Sequence, residues 1–410
     1  MRVTTLLARI LDIKSTRVVS VQFEGEGLLL DVAPRTRRPR CSGCGRVVRR
    51  VYDGRERRWR HLDLAGVRTT LRYRQRRVEC PRCGVVVEMV PWAESGSWFT
   101  YDFEQTAAYL AQHAAKSVVV EMMGVAWTTV GSIIQRVIRR FGPQDRLDDL
   151  TEIGVDELSY RKHHEYVTVV IDHRTQRIVW AAKGKSADTL RGFFQALGPE
   201  RCAELKSVTI DMSAAYITAV SKAAPQARIV FDKFHVQRLA HDALDQVRRQ
   251  EVGQVQEPAA RAALKKSRFA LQKNTWNMTD LEHQKVAEVQ RTNRRLYRGY
   301  LLKESLAEIL RGTDPTVAET KLNEWTNWAS HSQLAPFARV ANTIRKHMTG
   351  IVAYVATGLT NARTEGLNGK ARTITRRSYG LHSASSLIAM LFLCCTGLVL
   401  TPTHKALRAH

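Results

Sequence analysis

The chain has 410 residues, 44% of them apolar, enough for two to four domains with sizeable cores. Its 64 Lys and Arg against 39 Asp and Glu leave a formal charge of +25, which points to a polyanionic partner, most often nucleic acid. Seven cysteines are too few for a disulfide scaffold, and the longest apolar run, 387–400, is too short to span a bilayer. These features predict a cytosolic protein with no membrane partner and no small-molecule substrate.

Residues 1–34 read as β-like, with runs at 18–23 and 28–32 around Gly25 and Gly27. Arg9, Asp12 and Lys14 interrupt the apolar N-terminus, so it does not read as a signal peptide. Two knuckles follow, Cys41-x-x-Cys44 and Cys80-x-x-Cys83, each trailed by a glycine, Gly45 and Gly84. This spacing brings two thiolates to one tetrahedral Zn²⁺, and two such pairs complete a closed, structural site. From Arg35 to Arg82 there are 17 arginines, no lysine and four acids, a net +13. The planar guanidinium suits phosphates and base edges. Arg57, Arg58, Arg60, Arg74, Arg76 and Arg77 are the candidates there for DNA contact. Residues 68–78 alternate like a strand, and 91–100 read as a turn-rich linker.

The period then becomes helical. One helix is predicted around Ala107, Ala108, Leu110 and Ala111, a second over 117–123, a turn at Gly124-Val125 and a third helix over 127–141. This is a helix-turn-helix pattern. Val130, Ile133, Ile134, Val137 and Ile138 form the core face of the third helix. Thr128, Thr129, Ser132, Gln135, Arg136 and Arg139 are left to read DNA, if the pair is more than a plain amphipathic one.

Strands are predicted at 153–158, 166–171 and 178–182, then a helix at 189–197, a strand at 208–211, a helix at 214–223 and a strand at 228–231. Three strands, then helix, strand, helix, strand is the order of an RNase H-like fold, an analogy at the level of fold. Residues 237–345 carry helical periodicity with no strand signal, as an inserted all-α domain would. A final helical region spans 351–400. The predicted fold is multidomain α/β: a zinc-binding β module over 1–95, a helix-turn-helix over 96–145, an RNase H-like core of five mixed strands over 146–238 and 346–410, and an all-helical insertion over 239–345.

Asp156 lies within the apolar run Ile153-Gly154-Val155-Asp156-Glu157-Leu158, and Asp211 ends Val208-Thr209-Ile210-Asp211. A carboxylate on a buried strand is costly unless paired or metal-bound. A strand-end cap or ion pair explains one such residue; two on neighbouring strands of a basic protein favour metal. Glu365 is the third candidate, on a helix that Thr360 or Asn361 can cap. Asn368 and Arg372 share its face at i+3 and i+7, and Lys370, Arg376 and Arg377 add charge for phosphate. Two Asp and one Glu suit two Mg²⁺ or Mn²⁺ ions about 3.5–4 Å apart. Glu157 points to the opposite face of its strand and is excluded as a ligand. His163 and His164 read as solvated turn residues. Trp276, Trp325 and Trp328 read as core more than as base-stacking surface, and Cys202, Cys394 and Cys395 as buried apolar residues.

The two knuckles, the helix-turn-helix, Gly154-Val155-Asp156-Glu157, Thr209-Ile210-Asp211-Met212, Val230-Phe231-Asp232-Lys233-Phe234-His235-Val236 and Thr360-Asn361-Ala362-Arg363-Thr364-Glu365-Gly366-Leu367-Asn368 occur in one order over nearly the whole chain. In this the sequence resembles the DDE transposases of the bacterial ISL-three insertion-sequence group. The resemblance implies a catalytic triad of Asp156, Asp211 and Glu365, with the helical insertion between the last two, which lie 154 positions apart. It also implies a D-x-x-H element, Asp232 and His235, near the active site; a capping Asp and a core histidine is the competing reading. The implied activity is binding of terminal inverted repeats, hydrolysis at the element ends with two Mg²⁺, and joining of the freed 3′-OH to target DNA. A homodimer or higher oligomer on double-stranded DNA, associated with the bacterial nucleoid, would follow. A DNA-binding regulator, an inactive transposase, or an RNase H-like nuclease without strand transfer are the alternatives.

Overall fold

The computed structural model describes residues 2–161, 165–360, 362–377 and 383–401. They form two compact units, one of residues 2–142 with 398–401 and one of the described residues between 143 and 397.

The first unit opens with helix α1 (Val3–Leu11), followed by strands β1 (Thr16–Glu24), β2 (Gly27–Pro34), β3 (Val51–Arg60), β4 (Thr69–Cys80) and β5 (Gly84–Val87). The sheet order is β1-β2-β4-β3, with β5 paired to β4. All neighbours are antiparallel except β2 and β4. Leu28, Leu30, Val32, Trp59, Leu71 and Trp92 make its core, where Trp59 and Trp92 meet edge to face with centroids 5.5 Å apart.

Two features depart from the sequence expectation. Residues 3–11 are helical, not β-like: Leu6, Leu7, Ile10 and Leu11 recur at a spacing of four and put Leu7 into the core. Strand β3 carries no apolar alternation to announce it. Its ladder to β4 makes it a strand, and Trp59 is the residue it buries.

Helices α2 (Tyr101–His113), α3 (Lys116–Met123) and α4 (Trp127–Phe141) complete the unit. Thr100 caps α2, its hydroxyl accepting from the Phe103 N–H. Val130, Ile133, Ile134 and Val137 are fully buried along α4. Each contributes about 1.5–3 kcal/mol by leaving water.

The second unit runs β6 (Glu152–Arg161), β7 (Glu165–Asp172), β8 (Arg177–Lys183), α5 (Ala187–Leu197), α6 (Pro199–Glu204), β9 (Ser207–Ile210), α7 (Ala214–Ala223) and β10 (Arg228–Phe231). The sheet order is β10-β9-β6-β7-β8. β6, β7 and β8 form an antiparallel meander, while β9 and β10 run parallel to β6. β7 is buried on both faces, with α5 and α17 (Ala384–Cys395) each packed against it.

Between β10 and residue 346 the described chain is helical: α8 (Lys233–Gln254), α9 (Pro258–Lys266), α10 (Arg268–Gln272), α11 (Asp280–Thr292), α12 (Arg294–Ile309), α13 (Pro315–His331) and α14 (Ala335–Lys346). Leu244, Leu302, Leu306, Leu322, Trp325 and Phe337 fill this bundle, continuous with the core under the sheet. Then come α15 (Met348–Thr357) and α16 (Ala362–Arg377). Trp325 is buried, its indole N–H donating to the Leu302 carbonyl at 2.8 Å. Trp276 and Trp328 are not core residues; they are 49% and 40% exposed. Cys202 and Cys395 are buried and Cys394 half-buried. No single described helix is long and apolar enough to cross a membrane.

Candidate functional site

The zinc site is built by two hairpin-like turns brought together by sheet pairing. Cys80 ends β4 opposite Gly84 of β5. Cys41 bridges to Glu88, and Ser42 N–H donates to the Val87 carbonyl at 3.2 Å. Gly45 and Gly84 hold φ of +72° and +71°, the left-handed turn that a trailing glycine permits. The sulfurs of Cys41, Cys44, Cys80 and Cys83 all lie within 4.8 Å of one another. A tetrahedral ion with Zn–S near 2.3 Å sets its sulfurs about 3.8 Å apart, and Cys44 Sγ stands 3.7 Å from Cys80 Sγ. The N–H groups of Arg82 and Cys83 lower the Cys80 thiol to about 7. Hydrogen bonding with Cys44 pushes Cys83 up to about 12. A divalent cation binds such a cluster as thiolates, displacing the thiol protons. The four residues fit a structural zinc.

The arginines around this site are mostly engaged. Arg76 forks onto buried Glu88, and Arg77 pairs with Asp53. Arg58 reaches Glu24 and Arg60 reaches Asp63 at 2.6 Å. Arg57 donates to Gln75 and to the Ser97 carbonyl, with its guanidinium over both Trp59 and Trp98. Arg74 is exposed. In the helix-turn-helix, Thr128, Ser132, Gln135 and Arg139 are exposed on α4 and Thr129 is half-buried. Arg136 turns inward to fully buried Glu104 of α2, so the outward set is smaller than the sequence suggests.

Strand pairing gathers the acids of the second unit. Glu152, Ile153 and Gly154 of β6 pair with Ser207, Val208 and Thr209 of β9. Continued by two residues, that register sets Asp156 beside Asp211. The β9–β10 register, Ile210 with Phe231, continues by one residue to set Asp232 on the other side of Asp211. Asp156 Oδ1 accepts from the Glu157 N–H at 2.7 Å, and Asp211 Oδ1 from the Ser213 N–H at 3.0 Å. Glu157 lies on the opposite face, hydrogen-bonded to Tyr216, and burial raises its pKa. Tyr216 in turn lies 3.1 Å from Thr168 Oγ1. This brace between β6, β7 and α7 is not legible in the sequence, since a lone tyrosine on a helix carries no signal.

Asp232 occupies the N-cap position of α8 but makes no side-chain capping bond. It is 3% exposed. Oδ2 meets His235 Nδ1 at 3.2 Å, and Oδ1 accepts from Thr360 Oγ1 at 2.7 Å. Asp232 raises the His235 pKa by this hydrogen bond; Asp156 and Asp211 act in the same direction and burial opposes. His235 thus stands within electrostatic reach of three carboxylates. Glu365 lies in the first turn of α16, which packs on β6. Its side chain and that of Asn368 lie outside the described residues, as do His163 and His164. Lys370, Arg372 and Arg376 are exposed and Arg377 half-buried along the same helix, and Lys370 Nζ donates to the Cys394 carbonyl at 2.6 Å. Among the described residues, the four cysteines alone bring metal-ligating atoms together as a cluster.

A four-cysteine β module, a helix-turn-helix and a mixed parallel and antiparallel sheet together are the parts of a DNA-binding class of protein. Three family models match in the same order: one described as "zinc-finger of transposase IS204/IS1001/IS1096/IS1165" over 37–83, one as "Helix-turn-helix domain of transposase family ISL3" over 88–138, and an ISL3 model described as "Transposase" over 153–391. The chain is 36% identical over 417 residues to the transposase for insertion sequence element IS1557 from two strains of Mycobacterium tuberculosis, covering 94% of this chain and 93% of the relative. It is 29% identical over 367 residues to the transposase for insertion sequence element IS1001 of Bordetella parapertussis, covering 89% and 90%. The chain belongs to the ISL3 family of insertion-sequence transposases.

Proposed function

We propose that the chain is a DDE-type transposase that binds the terminal inverted repeats of its element, hydrolyses the phosphodiester at each end and joins the freed 3′-OH to target DNA. The observation that carries this is the register of β6 on β9, which, continued by two residues, sets Asp156 in the middle of β6 beside Asp211 just past the end of β9. The sheet order, with three antiparallel strands extended by two parallel ones, supports an RNase H-like core. The helices from α8 to α14 are then its insertion.

In this reading Asp156, Asp211 and Glu365 hold divalent cations. Hard oxygen donors select Mg²⁺ or Mn²⁺ over softer metals. When bound, such ions supply an activated water and charge stabilisation at the phosphate. Asp232 and His235 orient the strand end that carries Asp211. Lys370, Arg372, Arg376 and Arg377 hold the DNA backbone along α16, with Asn368 beside them. Thr128, Ser132, Gln135 and Arg139 read the repeat in the major groove, and exposed arginines of the zinc module such as Arg74 fix its register on phosphate. Two ends require at least two chains on the DNA.

The test is labelled end DNA with Mg²⁺ or Mn²⁺. Asp156→Ala, Asp211→Ala and Glu365→Ala should each lose about a thousandfold or more in cleavage while still shifting the same DNA in a gel. Substantial cleavage by all three variants would refute the assignment.

A further inference from the structure

Resting on the reading of Glu365 as the third carboxylate, we infer that Thr360 is a positioning residue: through Asp232 it seats the helix that carries Glu365 against the catalytic sheet. The chain returns to the sheet along α15, which is pressed onto β10. At Gly350 an added Cβ would lie 2.5 Å from two carbons of the Phe231 ring and 3.2 Å from the Ile229 carbonyl, so no larger residue allows this approach. The helix ends at Gly358 in the left-handed region, and the Leu359 N–H donates to Thr357 Oγ1 at 3.3 Å. Two residues past Gly358, the Thr360 hydroxyl donates to Asp232 Oδ1 at 2.7 Å, across 128 positions of sequence.

Asp232 is a fixed anchor. Its N–H donates to the Ile210 carbonyl at 3.2 Å, its second carboxylate oxygen holds His235, and it is buried beside Asp211 in register. Helix α16 begins two residues after Thr360, and Glu365 lies in its first turn. At about 1.5 Å rise per residue, Glu365 sits only about 5 Å along the axis from the helix start. A contact that holds Thr360, two residues before the helix, therefore limits where the turn carrying Glu365 can lie. Misplacing a reacting group by about 1 Å costs on the order of a hundredfold.

The experiment compares Thr360→Val, Thr360→Ser and Glu365→Ala in the full chain, on a labelled duplex carrying the terminal inverted repeat. Thr360→Val keeps the shape and removes the donor. It should cut cleavage about 10- to 100-fold and raise the Mg²⁺ concentration for half-maximal cleavage, with gel-shift affinity unchanged and the melting temperature lowered by the loss of a donor to a buried carboxylate. Thr360→Ser should restore both. If Thr360→Val cleaves at the wild-type rate with the wild-type Mg²⁺ requirement while Glu365→Ala is inactive, the inference fails and the triad stands. A lower melting temperature with an unaltered Mg²⁺ requirement also overturns it, as a merely structural role. Full cleavage by Glu365→Ala overturns the triad reading itself.

Discussion

Glu104 of α2 and Arg136 of α4 form a buried ion pair, Arg136 Nε donating to Glu104 Oε1 at 2.6 Å. The same carboxylate takes Arg140 Nη2 at 2.6 Å and Ser97 Oγ at 2.7 Å, with Glu104 fully buried. Removing one member of such a group strands the others. Glu104→Ala should therefore destabilise the first unit by about 3–5 kcal/mol, read by urea denaturation of residues 1–142 followed in the intact chain. Arg136→Ala should act likewise on stability and leave base preference on end DNA unchanged. A variant that alters sequence preference at wild-type stability would return Arg136 to the DNA-reading face.

Zinc loss should separate the two units. Cys80→Ser removes one of four sulfurs that lie within 4.8 Å of one another. Metal analysis should fall from one zinc per chain toward none, and affinity for end DNA should drop at least about tenfold, since small four-cysteine modules fold only around their metal. The helical signal of residues 143–397 should persist. Undiminished end binding by the zinc-free protein would contradict a structural metal.

His61 makes the first unit acid-sensitive. It is buried, with Nδ1 2.8 Å from Thr100 Oγ1, and burial lowers its pKa to about 4. The unfolded histidine, near 6.5, binds a proton that the folded one refuses. The stability from this group is therefore fully present above about pH 6.5 and is lost as pH falls toward 4, by about 3 kcal/mol at most. His61→Gln should flatten the pH dependence of unfolding in that window. An unchanged slope would show that His61 is protonated in the folded chain.

Gly350→Ala should cost about 1–3 kcal/mol, because the Phe231 ring must shift to admit the methyl. Thermal unfolding of the full chain measures it, and a wild-type melting temperature would mean that α15 stands off β10.

Much of this arrangement is legible in the amino-acid sequence, and the exceptions share a cause. Helix α7 and strand β10 fall at the residues their periodicity marks, and the apolar face of α4 is buried at Val130, Ile133, Ile134 and Val137. Asp156 and Asp211 stand out because a charge inside an apolar run is costly. What sequence hides is the partner. Arg76 and Glu88, Arg77 and Asp53, Arg136 and Glu104 meet across strands or helices, so a run of arginines reads as open charge when most of those singled out are paired. Strand β3 is concealed by those same arginines. Thr360 looks like a helix cap from its neighbours, and only the fold shows its hydroxyl on Asp232.

The proposed chemistry turns on Asp211, aligned with Asp156, holding a divalent cation for strand cleavage. Cleavage of labelled end DNA by Asp211→Cys, in Mg²⁺ and then in Mn²⁺, probes this, because a thiolate is a poor ligand for Mg²⁺ and a better one for the softer ion. The rate in Mg²⁺ should fall below about a hundredth of wild type and recover about tenfold or more in Mn²⁺. A wild-type rate in Mg²⁺, or an equal loss in both metals, would contradict a metal-holding Asp211.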